Sequence, residues 1–247
     1  MKLLLRCLAL LAVFAGAAVQ AADLRVSAAA SLGDAFREIA DNYQRERPGT
    51  RVLLNLGASG ALLQQLAKGA PVDVFASADQ ESMQRAVRLG LASAPRDFAG
   101  NSLVLAVPAD SELAFSRFED LRGDGVRRIA IGDPHSVPAG RYARQALEVA
   151  GLWEPMQARL VKTRNVRQAL SYLARGEVDA ALVYATDVLS MPDRVHSRLQ
   201  VPLATVIRYP IAVTADSDAT AEAARFVAYV LSADGQAVLG RHGFLAP

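Results

Sequence analysis

The sequence predicts an α/β protein in which helices cover a mostly parallel sheet. Short apolar runs alternate with segments of helical spacing along nearly the whole chain, as in strand–helix–strand units. Helical segments stop at Gly69, Gly90 and Gly176, the residue type that most readily ends a helix. Of the 247 residues, 52% are apolar, which suits one large domain or two lobes of about 100 residues each. No Gly/Ser-rich or Pro-rich linker divides the chain, so two lobes would be joined by ordinary backbone crossings.

In order, residues 24–29, 51–56, 72–77 and 102–107 read as strands. Between them, 32–45 has helical spacing, with Leu32, Ala35, Phe36, Ile39, Ala40 and Tyr43 on one face. Segments 61–68 and 80–89 are two further helices. The second half repeats the scheme, with strands at 128–131, 159–162 and 180–184 and helices at 140–150 and 166–175. A short helix near 187–190, extended segments at 199–202 and 208–213, and helices at 220–231 and 233–240 complete it.

The N-terminus has basic Lys2 and Arg6, an apolar run over 8–19 and small residues at Val19 and Ala21. These features predict a secretory signal peptide over residues 1–21, cut after Ala21 or Ala22. The apolar run is too short to span a membrane. The 27 Lys+Arg and 25 Asp+Glu of the whole chain become 25 of each once Lys2 and Arg6 leave. A balanced charge gives no electrostatic grip on nucleic acid. Cys7, the only cysteine, leaves as well, and its place before the apolar run argues against lipidation. The expected destination is the periplasm.

Ligands of open α/β sheets sit beyond the carboxyl ends of strands, where helix N-termini offer free N–H groups and partial positive charge. Five junctions here are rich in small or hydroxyl residues and nearly free of charge. Ala28-Ala29-Ala30-Ser31-Leu32 puts Ser31 where an N-cap belongs, with Asp34 at capping-box spacing. The three alanines leave space for Ser31 to donate to a ligand. Gly57-Ala58-Ser59-Gly60-Ala61 places Ser59 between residues that permit close approach. Pro138 suits a first helical turn and leaves the amides of Ala139 and Gly140 behind it. Asn165 can cap a helix that opens with the amide of Val166. Tyr184 ends an apolar strand, from which its hydroxyl can enter a cleft.

Each junction has an ordinary reading as a cap, a turn or a packed aromatic. Together they fit a dianion held by N–H and O–H groups without a counter-ion. Each hydrogen bond to a charged acceptor contributes about 1.5–3 kcal/mol, so several offset its desolvation. A nucleophilic serine would need G-x-S-x-G with a matched histidine and acid. The glycine spacing around Ser59 is wrong for that, and His135, His196 and His242 have no matched acid motif. No enzyme is expected.

The strings AAASL (28–32), GAPVD (69–73), ASADQ (76–80) and GNSL (100–103) are followed by GDP (132–134), VPAG (137–140), Tyr142-Ala143 and Val183-Tyr184. With these, nearly the whole mature chain resembles the periplasmic molybdate-binding proteins of ABC transporters. The resemblance implies a two-lobed type II periplasmic-binding-protein fold with mixed, mostly parallel sheets and two hinge crossings. We place lobe one at 22–104 plus 208–247 and lobe two at 105–207. It implies a monomer that captures molybdate, and with it tungstate, and hands it to a membrane permease; no cofactor is needed. The oxygens of the ion would meet the hydroxyls and amides of Ser31 and Ser59, the amides of Ala139 and Val166 and the hydroxyl of Tyr184. No side chain would ligate the metal directly. Where the family often has several serines, Ser59 stands alone between Ala58 and Gly60. Another oxyanion, such as sulfate or phosphate, stays open; phosphate would want an acceptor, and Asp133 and Asp187 are near in sequence.

Overall fold

The structure, a computed structural model, describes residues 22–247; the expected signal segment 1–21 and Cys7 lie outside the described residues. The described chain forms two five-stranded sheets. The first holds β1 (Ala22–Ala29), β2 (Thr50–Gly57), β3 (Val74–Ala76), β4 (Ala92–Asn101) and β10 (Ile207–Thr214) in the order β2-β1-β3-β10-β4. The second holds β5 (Leu103–Pro108), β6 (Ile129–Gly132), β7 (Leu160–Thr163), β8 (Ala180–Tyr184) and β9 (Val195–Gln200) in the order β7-β6-β8-β5-β9.

The two sheets follow one plan. In each, three neighbours run parallel, the fourth strand is reversed and the edge strand is reversed again. The reversed strand is the one that has just crossed from the other sheet: β5 after Ser102, β10 after 201–206. The sheets are therefore mixed, with one strand in each opposing the common direction. Leu103 and Val104, placed by sequence in lobe one, pair with Tyr184 and Val183 of the second sheet.

Helices α1 (Gly33–Glu46), α2 (Ser59–Ala67) and α3 (Gln80–Arg88) belong to the first lobe, α4 (Pro138–Val149) and α6 (Val166–Ala174) to the second. Short α5 (Trp153–Met156) and α7 (Ala185–Leu189) complete the second; α8 (Thr220–Val230) and α9 (Ala233–Arg241) return to the first. The predicted face of α1 is the buried one: Leu32, Ala35, Phe36, Ile39, Ala40 and Tyr43 are all buried. Phe36 packs on Phe98 and Phe226, and Tyr43 packs edge-on to Phe226. Gly69 and Gly90 follow α2 and α3 at φ of 83° and 70°, conformations that other residues adopt only with strain. Strand β4 is absent from the sequence reading. Its register against β10 shifts twice and four successive residues are exposed, so it carries no alternation to read.

Candidate functional site

Strands β1 and β2 end side by side, Ala29 opposite Gly57, which sets the Ser31 and Ser59 junctions next to each other. In the second lobe, β6 and β7 end with Gly132 opposite Thr163, which pairs the starts of α4 and α6. The two sets meet across the seam. The Gly60 amide donates to the Ser136 carbonyl at 3.0 Å, and Arg167 Nη2 donates to the Ser31 carbonyl at 3.3 Å. The Ser31 and Tyr209 hydroxyls lie 3.1 Å apart, and the Tyr209 ring lies 5.8 Å from that of Tyr184. All five predicted residues are buried, and Ser31, Ser59 and the starts of α4 and α6 follow the ends of neighbouring strands.

Ser31 lies inside a 3-10 turn, Ala30–Leu32, that precedes α1. It is not an N-cap, and the capping box with Asp34 does not form. The turn carries its hydroxyl inward to Tyr209, while Asp34 faces Arg37 and Arg167. Ser59 is the first residue of α2, after a cap at Ala58 that makes no side-chain bond. Its Oγ accepts from the Ala78 amide at 3.0 Å, which leaves its O–H to donate. Pro138 opens α4 as expected, with Ala139 next. Asn165 caps α6 by accepting from the Gln168 amide at 2.9 Å, and Val166 follows. The amides of Ala139 and Val166 stand in first turns, whose N–H groups find no carbonyl within their own helix.

Tyr184 is 1% exposed, and its hydroxyl has no hydrogen-bond partner among the described residues. Burial raises its pKa well above the ordinary value, so it remains a proton donor.

The seam is not free of charge, as the five junctions suggested. Arg141 of α4 is bonded to Asp79 Oδ2 (2.9 Å from Nε) and to Ser82 Oγ (2.9 Å from Nη2), both across the seam. Arg167 lies 2.8 Å from Asp34 Oδ2 in the first lobe and 2.9 Å from Asp187 Oδ1 in its own. Each cation is met by acids, so neither stands as a free positive charge. The sequence reading gives Arg167 no role. It missed Arg141, Tyr209 and Asn101, whose partners are far away in the chain.

Asp187 is fully buried; desolvation pushes its carboxyl up to about 6 against the pull of Arg167. Its Oδ2 accepts from the Tyr184 amide at 3.1 Å. Asp133 is bonded to His135, which holds it below the usual carboxylate range. Asp133 Oδ1 and Asp187 Oδ2 are thus engaged with protein groups, whereas Asp187 Oδ1, 2.9 Å from Arg167 Nε, makes no hydrogen bond. A cavity of about 80 Å³ opens beside Ser31, lined also by Asp34, Arg167, Thr186 and His242. Ser59, Ala139, Val166 and Tyr184 do not border it. Among the described residues no cluster of metal-ligating side chains occurs, and no helix is long and apolar enough to cross a membrane.

The sequence pattern of the bacterial extracellular solute-binding proteins matches residues 24–245. The molybdate-binding protein ModA of Escherichia coli is 33% identical over 258 residues, covering 94% of this chain and 96% of that one. A Bacillus subtilis protein provisionally named ABC transporter substrate-binding lipoprotein YvgL is 34% identical, covering 90% of this chain and 86% of its own. The solved periplasmic molybdate-binding protein of Azotobacter vinelandii superposes with a TM-score of 0.82 at 27% identity, covering 91% of this chain and 99% of that one. With its pattern matched from end to end of the described chain, this protein belongs to the bacterial extracellular solute-binding proteins.

Proposed function

We propose that the protein captures molybdate outside the cytoplasmic membrane and delivers it to an ABC importer. One observation carries the reading: the Tyr184 hydroxyl is buried, protonated and without a partner among the described residues, its ring packed against that of Tyr209, which meets Ser31. An unpaired buried donor costs about 1–3 kcal/mol, a cost that an anionic ligand removes. The names of the relatives, molybdate-binding in two organisms, support the choice of ion.

In this mechanism Ser31 and Ser59 hold the ion from the first lobe. The amides of Ala139 and Val166 and the hydroxyl of Tyr184 hold it from the second. The ion bridges the seam and stabilises the closed form, and the lobes part about the crossings at Ser102 and 201–206 to release it. The arginines at the rim pair with acids rather than with the ion, so charge is met inside by N–H and O–H dipoles alone. Such donors read size and protonation, not the metal, so tungstate binds as molybdate does and the smaller sulfate binds weakly. The protein works as an exported periplasmic monomer, and its chemistry is capture and release, not turnover.

The test is a thermal titration of the chain from residue 22 onward with molybdate, tungstate, sulfate and phosphate. Molybdate and tungstate raise the melting temperature, with about 4 kcal/mol of added stability at a thousand times Kd. No shift with saturating molybdate, alongside a shift with sulfate or phosphate, overturns the assignment.

A further inference from the structure

We infer that Asn101 and Tyr209 act as positioning residues that fix Ser31 as a proton donor, so that the site disfavours oxyanions carrying a proton. The inference rests on the oxyanion reading above and names a specificity device within it. Asn101 ends β4 at the first crossing, and Tyr209 lies near the start of β10 after the second. Both are buried, as are their partners Ser31 and Thr186.

The direction of each proton follows from one fixed amide. Asn101 Oδ1 accepts from the Ser102 amide at 2.9 Å. A flipped side chain would set its NH2 group against that N–H, donor against donor. Asn101 Nδ2 therefore faces Thr186 Oγ1 at 2.9 Å and the Tyr209 hydroxyl at 3.2 Å, and donates to both. The Tyr209 oxygen thus receives a proton from Asn101. Its own proton is held by burial, which raises the phenol far above its ordinary value. The remaining neighbour is Ser31 Oγ at 3.1 Å, so Tyr209 donates to it. With that oxygen receiving, the Ser31 proton points away from Tyr209 and toward the seam.

Ser59 is pinned in the same sense by a simpler device. An amide N–H can only donate, and the Ala78 amide fills the acceptor side of Ser59 Oγ at 3.0 Å. Tyr184 adds a third buried donor. Molybdate and sulfate present only acceptors to such an arc. Protonated phosphate, mainly the dihydrogen ion at pH 6, presents P–OH groups that meet a donor at Ser31, Ser59 and Tyr184.

The test is a double-mutant cycle on Ser31→Ala and Tyr209→Phe, read by calorimetric titration at pH 6 with molybdate, sulfate and inorganic phosphate. Tyr209→Phe keeps the ring and removes the proton that pins Ser31. It weakens molybdate about five- to tenfold, the size of one hydrogen bond. It narrows the sulfate-to-phosphate affinity ratio by a similar factor, because the freed Ser31 oxygen now accepts from P–OH. In the Ser31→Ala background, Tyr209→Phe changes neither quantity. A purely structural tyrosine would weaken all three ions alike and would do so in both backgrounds; that additive result, or an unchanged ratio, overturns the inference alone. If the unaltered protein binds no molybdate, the oxyanion reading falls and this inference falls with it.

Discussion

The first lobe brings to the seam two hydroxyls that its own chain already holds, Ser31 against Tyr209 and Ser59 against the Ala78 amide. The second brings the amides of two helix starts and a tyrosine hydroxyl that nothing among the described residues satisfies. At the rim the roles differ again. The second lobe supplies the cations, Arg141 and Arg167, and the first supplies Asp79 and Asp34 to receive them. Two lobes with one sheet plan thus divide the work. One is internally complete around its donors, and the other is completed only by what it meets across the seam. Free energy of closure is therefore concentrated in the second lobe's groups.

Arg141→Ala tests that division most severely. The Arg141 side chain is 18% exposed and that of Asp79 is 5% exposed. Breaking a buried pair by removing one partner costs about 3–5 kcal/mol. Because the partners sit on opposite lobes, the loss falls on the closed form. Molybdate affinity drops a hundredfold or more in a calorimetric titration, while the ligand-free melting temperature moves little. Unchanged affinity would break the comparison, since the rim pairs would then not bias closure.

The next largest effect concerns Asp187, the one acid the second lobe buries against its own arginine. Its carboxyl titrates near 6 in the folded chain against an ordinary 3.8. Between those values the folded state holds a proton that the unfolded state has lost. Its contribution thus favours folding below about pH 4 and is lost as pH rises through 6. Asp187→Asn raises denaturant stability at pH 8 by up to about 3 kcal/mol relative to the unaltered protein, and the two converge near pH 4. A pH-independent difference would show that Arg167 compensates the charge fully.

The finest test pairs Ser59→Ala with Tyr184→Phe. Each removes one donor to the ion and weakens molybdate binding by about 1.5–3 kcal/mol. They part in the ligand-free protein. Ser59→Ala orphans the buried Ala78 N–H and costs about 1–3 kcal/mol of stability, whereas Tyr184→Phe removes a group with no partner and costs none. Chemical denaturation without ligand separates them, and equal stability losses would erase the distinction between the lobes.

Much of the fold was legible because it is periodic. The stripe from Leu32 to Tyr43 repeats every three to four residues and is buried throughout. Pro138 and Asn165 announce helix starts by chemistry that is local to each. The Ser31 capping box was a local reading that failed, since a 3-10 turn drew its hydroxyl toward Tyr209, 178 residues away. Strand β4 was unreadable because its pairing with β10, not its own pattern, makes it a strand, and the extra residue it carries at each register shift breaks any alternation. The arginines were underrated because a charged side chain on a helix usually faces solvent, and only the opposite lobe supplies Asp79 and Asp34.

By itself the sequence determined where helices begin, which face each buries and which small or hydroxyl residues stand at the ends of strands. These follow from backbone propensity, hydrophobic period and capping, all of which act within a few residues. Only the tertiary structure decided which of those groups are satisfied and which remain free to bind. Tyr184 has no partner among the described residues, Ser31 is tied to a strand from the far end of the chain, and the arginines are met by acids across the seam. Hydrogen-bond satisfaction is a property of the whole packed interior: each donor is paired or left free by residues that no local pattern brings near it.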